Sequence, residues 1–357
     1  MSVFPDFASR HSRPGPRAAI APPGGSPLAG LAAAATIAAL ALPLGTLVPR
    51  VGAPIIALAL GMAVSVATPA SRSLGGLGSI SRSALQMAIV LLGATISLGE
   101  VVRVGASSLP VMLGSLATAL IVGALLGRRL GVPERLRTLI GVGTGICGAS
   151  AIAAVSGVID APPREIRYAI STIFAFNLVA VLVFPPLGHL LGMSPHAFGL
   201  WSGTAINDTS SVVAAGFAYS HAAGTYAVII KLTRTTMIIP ISLYLASRAF
   251  RRSPDAPTGG HTLASTTASL RRIMPWFLVW FLAASAANSL GAFTPDTRAL
   301  FSHAGLGLTS LALAAVGLSS DLRELRQTGT RPLALGALVW IAVAATSLAL
   351  QTLIGAS

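Results

Sequence analysis

The feature that most restricts this chain is a succession of eleven apolar runs, each about as long as one membrane crossing. They lie near residues 28–47, 51–69, 84–99, 106–127, 138–159, 168–188, 197–219, 222–247, 273–292, 299–319 and 333–354. A hydrocarbon core of ~30 Å takes ~20 helical residues per crossing. Only 10% of the chain is charged and its mean hydropathy is +0.79, whereas a soluble domain carries ~25% charged residues. The expected fold is therefore an all-α polytopic membrane protein of about eleven transmembrane helices. One transmembrane domain is expected over 28–357, preceded by a disordered tail over 1–27 whose Pro, Gly and Ser content cannot build a core. The run from Leu28 continues to Leu47 with no clear small-residue cleavage site, so it reads as a first span and not as a signal peptide.

The formal net charge of +14 comes from 24 Lys and Arg against 10 Asp and Glu. The basic residues sit in short clusters between apolar runs, with no basic stripe and interleaved aromatics, so nucleic acid is not an expected partner. Alternating the loops across the bilayer puts 17 arginines on the side of the N-terminus and five, Arg50, Arg103, Arg164, Arg167 and Arg298, on the other. That bias predicts a cytoplasmic N-terminus and a periplasmic or extracellular C-terminus. Two basic residues remain, Lys231 and Arg234, inside the eighth run.

Charge inside a membrane span marks a functional site by default. Lys231 and Arg234 are spaced i, i+3 and share a helix face, with the hydroxyls of Thr233, Thr235 and Thr236 around them. Asp208 is the one carboxylate well inside an apolar run. One Asp against Lys plus Arg leaves a cation over, which favours an anion as visitor; a purely structural ion network is the bland alternative. Two further runs are too rich in Gly and polar residues for ordinary helices, Gly141 to Ala154 and Ser202 to Ala215. Both are expected to unwind at mid-membrane, because Ser, Thr, Asn and Asp offer the backbone other partners, and such backbone survives only where it lines a cavity. Close helix packing by small residues is the simpler reading of the first. The expected substrate site comprises Thr144, Gly145, Ile146, Cys147, Gly148, Ser150, Asn207, Thr209, Ser210, Lys231 and Arg234. Asp208 and Lys231 are the expected coupling groups: Asp208 either pairs with Lys231 or carries a proton, and lysine, unlike arginine, can exist neutral.

Several chemistries lack their residues. One cysteine, Cys147, excludes an internal disulfide and a cysteine-only metal site. It reads as a packing residue or as a thiol at an unwound helix end. The six histidines show no HExxH or ligand spacing, and His189, His196 and His303 read as loop or interfacial residues. The glycines of 141–148 lack the βαβ context of a dinucleotide fingerprint. There is no nucleophile elbow and no ATP-binding motif. No cofactor, metal or enzymatic activity is expected.

The strings GTGICGASAIAA (143–154), SGTAINDTSSVVAAGFAYS (202–220) and KLTRTTMIIP (231–240), in this order and spacing, resemble the YeiH-type sulfate-exporter family of bacterial membrane proteins from about residue 30 onward. The resemblance implies an inner-membrane secondary transporter with inverted repeats and discontinuous helices, related in architecture to sodium/proton antiporters and bile-acid symporters. It implies a small anion as substrate, sulfate, sulfite or an organosulfonate, moved outward, with H⁺ or Na⁺ as the coupling ion. The bilayer is the other partner, and the architecture is compatible with a homodimer. Two alternatives stand beside it: a monovalent cation/proton antiporter centred on Asp208, and a membrane-embedded sensor or enzyme.

Overall fold

A computed structural model describes residues 26–47, 52–68, 70–71, 74–252, 276–320 and 329–355. The expected tail therefore lies outside the described residues, apart from its last two. All regular structure among the described residues is helical. The helices are α1 (Pro27–Leu47), α2 (Gly52–Ala67), α3 (Leu77–Gly93), α4 (Leu98–Arg129), α5 (Glu134–Gly145), α6 (Ala149–Val158) and α7 (Pro163–Leu190). Next come α8 (Pro195–Ala205), α9 (Thr209–Tyr219), α10 (His221–Thr235), α11 (Ile238–Arg252), α12 (Trp276–Ser289), α13 (Pro295–Ser319) and α14 (Thr330–Leu353). Among the described residues, six stretches are long and apolar enough to cross a membrane: α1, α4, α7, α10 with α11, α13 and α14. Helices α2, α3 and α12 are shorter and apolar.

The helices pack in two groups that share apolar clusters around Ile89 and Phe281 and around Leu58 and Val181. Helices α1, α2, α3, α12 and α13 make a panel, with α13 packed along α2 and α3. Gly61 and Gly317 meet at the α2–α13 crossing, where a Cβ on Gly61 would stand 2.6 Å from the Ala314 carbonyl oxygen. Only bare backbones can approach this closely. Helices α4 to α11 and α14 make the core, held by a cluster around Leu139, Ile146, Ile152 and Val339 and another around Phe184, Phe198 and Trp201.

Neither polar run crosses the bundle, which corrects the expectation that 138–159 and 197–219 are spans. Tyr219, the last residue of α9, donates its hydroxyl to the Met193 carbonyl and stacks on Phe198 at 4.0 Å, beside the start of α8. The chain thus enters along α8, turns at 206–208 and returns along α9 to the same face. For the first run, Gly131, just past α4, meets the Arg331 side chain, so α14 starts at the face where α4 ends. Helix α7 runs parallel to α14, with Gly336 against Thr172 and Phe176, and Phe176 5.6 Å from Trp340. Helix α7 therefore begins at the face from which α5 departs, and α6, which leads into it, must have returned there. Gly143 and Ile152 pack across the turn between them.

Two re-entrant hairpins, α5–α6 from the face of the N-terminus and α8–α9 from the opposite face, reach toward each other. Each is followed by a traverse, α7 or α10 with α11, and the two units run in opposite senses. This is the inverted arrangement found in many secondary transporters. Because the two reversals cancel, every helix after α9 keeps its expected direction; α7 runs opposite to expectation, and the connections at 159–162 and 191–194 change sides. Cysteine labelling checks this. Arg164→Cys and Arg135→Cys are expected to react with a membrane-impermeant maleimide from the same face, opposite to Arg298→Cys; reaction of Arg164→Cys together with Arg298→Cys would restore the continuous span.

Candidate functional site

The local sequence dictates both turns. Helix α8 starts at Ser194-Pro195, where the serine hydroxyl accepts from the Ala197 N–H at 3.2 Å and proline supplies a preset φ. Helix α9 starts at Asp208, whose carboxylate accepts from the Ser210 N–H at 2.9 Å and from the Ser210 hydroxyl. Helix α10 follows after the single extended residue Ser220, whose hydroxyl accepts from the Ala223 N–H at 3.1 Å. The other turn closes at Gly148, with φ 68° and ψ −129°, a conformation costing a residue with a Cβ ~1–3 kcal/mol. Helix α6 then begins with no side-chain cap.

The two turns meet in the centre of the core. A Cβ on Gly148 would stand 3.4 Å from the Asp208 Cβ. Asn177 of α7 clamps the second turn, its Oδ1 accepting from the N–H groups of Asn207 at 3.2 Å and Asp208 at 3.1 Å. Helix α10 supplies the cations. Lys231 Nζ donates to the Ile206 carbonyl at 2.8 Å. One guanidinium nitrogen of Arg234 donates to the Thr204 carbonyl and the other to the Thr144 carbonyl at 3.5 Å. Lys231 and Arg234 are both 0% exposed.

Arg234 thereby joins the C-terminal ends of α8 and α5, where the helix dipoles leave partial negative charge. Lys231 does the same for α8 alone. The pairing of Lys231 with Asp208 that the sequence suggested is not what the geometry displays. Lys231 holds a carbonyl, Asp208 caps a helix, and no ion pair joins them among the described residues. Each dipole end is worth roughly half a charge, and the two C-terminal ends of α5 and α8 cancel the two N-terminal ends of α6 and α9. By formal charge, one carboxylate against two cations leaves one positive charge over at the junction.

The expected site residues divide into three groups. Thr144, Gly148, Asn207, Lys231 and Arg234 meet at the junction, and three carry buried polar atoms with no hydrogen-bond partner: Thr144 Oγ1, both amide atoms of Asn207 and Arg234 Nε. Cys147 joins them, buried within reach of the Ala151 backbone and the Thr235 hydroxyl. Ser150, Asp208, Thr209 and Ser210 sit at the first turns of α6 and α9 and are exposed or partly exposed. Gly145 and Ile146 face away: a Cβ on Gly145 would meet Leu116 and Ala119 of α4, and the Ile146 side chain belongs to the apolar cluster. The residue missed by sequence reading is Asn177, an amide in the middle of the apolar run 168–188. The rule that singled out Lys231 would have found it.

The junction gathers groups of complementary kind around two buried cations. It has a cationic back wall, helix N-termini and hydroxyls in front, and unpartnered polar atoms between. Among the described residues no group of three or more His, Cys, Asp or Glu could hold a metal ion.

Comparison with known proteins finds relatives by sequence. The profile described as Conserved hypothetical protein 698 matches residues 29–336. A UPF0324 membrane protein of Fusobacterium nucleatum is 37% identical over 340 residues, covering 88% of this chain and 96% of the relative. One from Streptococcus pneumoniae is 39% identical, covering 92% and 97%, and one from Clostridium tetani is 39% identical, covering 85% and 90%. No solved structure matches the chain.

Proposed function

We propose, from the premise that this chain belongs to the Conserved hypothetical protein 698 family of membrane proteins, that it is a secondary transporter of a small anion. The observation that carries the reading is the pair of fully buried cations at the meeting point of two hairpins inserted from opposite faces. A net positive charge there is costly unless an anion joins it. Inverted hairpins give each face of the membrane a symmetric relation to one central site, which is what alternating access uses. Since the cations have no exposed surface, a ligand reaches them only if the packing around them opens.

Sulfate, sulfite or an organosulfonate is the substrate class, and export toward the C-terminal face of a bacterial inner membrane is the direction. The hairpin topology supports the orientation. Reassigning Arg164 and Arg167 to the N-terminal side changes the sequence tally of arginines to nineteen against three, Arg50, Arg103 and Arg298, the bias of a cytoplasmic N-terminus. Asp208, at the partly exposed mouth of α9, is the group placed to carry a coupling proton. The rival, a cation/proton antiporter, has the same carboxylate but leaves two buried cations without a purpose in transport.

Thermal unfolding of the purified protein separates the two. A ligand that binds only the folded state stabilises it, by about 2.7 kcal/mol at a hundred times Kd. Sulfate, sulfite or taurine is expected to raise Tm dose-dependently, while Na⁺ supplied with a large inert anion leaves it unchanged. Stabilisation by Na⁺ alone would favour the antiporter.

A further inference from the structure

An open region of the structure lies at the face where α8, α10 and α13 begin. A cavity of about 490 Å³ opens there between core and panel, lined by Glu100 and Thr95 beside the start of α4, His196 of α8, His221, Thr225 and Tyr226 of α10, and Arg298 of α13. Residues in or beside the first turns of four helices, α4, α8, α10 and α13, line it. All four are capped by neutral hydroxyls, those of Ser97, Ser194, Ser220 and Thr294, which leave the dipole charge in place. The only carboxylates in those first turns are Glu100 and Asp296. Setting them against Arg298 and four half-charges leaves about one positive charge. Thr225 Oγ1 is buried on this wall and has no hydrogen-bond partner. Below lies a second cavity of about 180 Å³, largely apolar, between α3, α9, α10 and α13. His221 and Ser302 line both, and the His221 Nε2 to Ser302 Oγ hydrogen bond of 2.9 Å spans the seam from core to panel.

We propose that this vestibule is a separate anion-binding site at the C-terminal face, that Arg298 is its principal ligand, and that the His221–Ser302 bond is the latch between it and the seam leading inward. The vestibule takes the same class of anion as the hairpin junction, and so rests on the anion-transport reading. It serves as the place where an anion waits on its way to or from the centre. Arg298 is exposed, so replacing it leaves the core packing alone.

Equilibrium binding of radiolabelled sulfate to the full chain in detergent tests this, with wild type, Arg298→Gln and Lys231→Ala side by side. Wild type is expected to bind in two classes of site. Arg298→Gln weakens one class roughly ten- to a hundredfold, the value of a hydrogen bond to a charged group, and leaves the other intact; Lys231→Ala does the reverse. Binding by Arg298→Gln identical to wild type, with Lys231→Ala defective, overturns the vestibule and leaves the transport reading standing. A wild type that binds no sulfate overturns both.

Discussion

Arg234→Ala is expected to abolish transport and to lower stability by roughly 1–3 kcal/mol for each carbonyl left without its donor. The guanidinium serves two carbonyls at once, Thr204 at the end of α8 and Thr144 near the end of α5. These belong to hairpins inserted from opposite faces, so the loss is not confined to one element. It releases the junction. Arg234→Lys sharpens the test, because it keeps the charge. A compact ammonium on a single stem cannot reproduce the planar fork that reaches two separated acceptors. The lysine variant should therefore fold, with Tm between those of wild type and alanine, yet show transport reduced at least about tenfold. Wild-type activity in Arg234→Lys would mean that charge alone matters and that the bridge between hairpins does not.

The all-helical membrane fold was legible because apolar runs of crossing length admit little else, and each expected run contains a helix or a pair of helices. What escaped was the reversal within two of them. A run of about twenty apolar residues reads the same whether it crosses or folds back as two half-helices of ten to twelve. Hydropathy measures the solvent around a segment, not its direction. A signal did exist: Arg164 and Arg167 stood among only five arginines on the side that should lack them, and the hairpin removes that anomaly. The site was partly legible for the same physical reason that makes it costly. Lys231, Arg234 and the Asn-Asp-Thr-Ser-Ser stretch break the membrane's rules, and the fold gathers them. Pairing was not legible, since a backbone carbonyl exposed by an unwound turn has no letter in the sequence. Ile206 and Thr204 hold the cations through atoms that every residue possesses. Gly145 and Ile146 entered the expected site as part of the unwound stretch 144–150, and they pack the hairpin against α4 and its apolar surroundings.

The second large effect belongs to Lys231. Its ammonium is fully buried and donates to the Ile206 carbonyl at the turn between α8 and α9, two residues before Asp208. Removing it takes away half of the buried positive charge and one bond to the turn, while Arg234 still joins the two hairpins. The variant is therefore the one that removes attraction for an anion with the least damage to the framework. Folding is checked by size exclusion and Tm before any flux is read.

The most direct measurement is flux of radiolabelled sulfate, sulfite and taurine into proteoliposomes containing wild type or Lys231→Ala. Wild type is expected to move at least one of these anions above protein-free liposomes, and the folded variant to move it roughly ten- to a hundredfold more slowly, the worth of one hydrogen bond to a charged group. Equal flux from the two proteins, or wild-type transport of Na⁺ with no requirement for any anion, would contradict an anion site built on these cations.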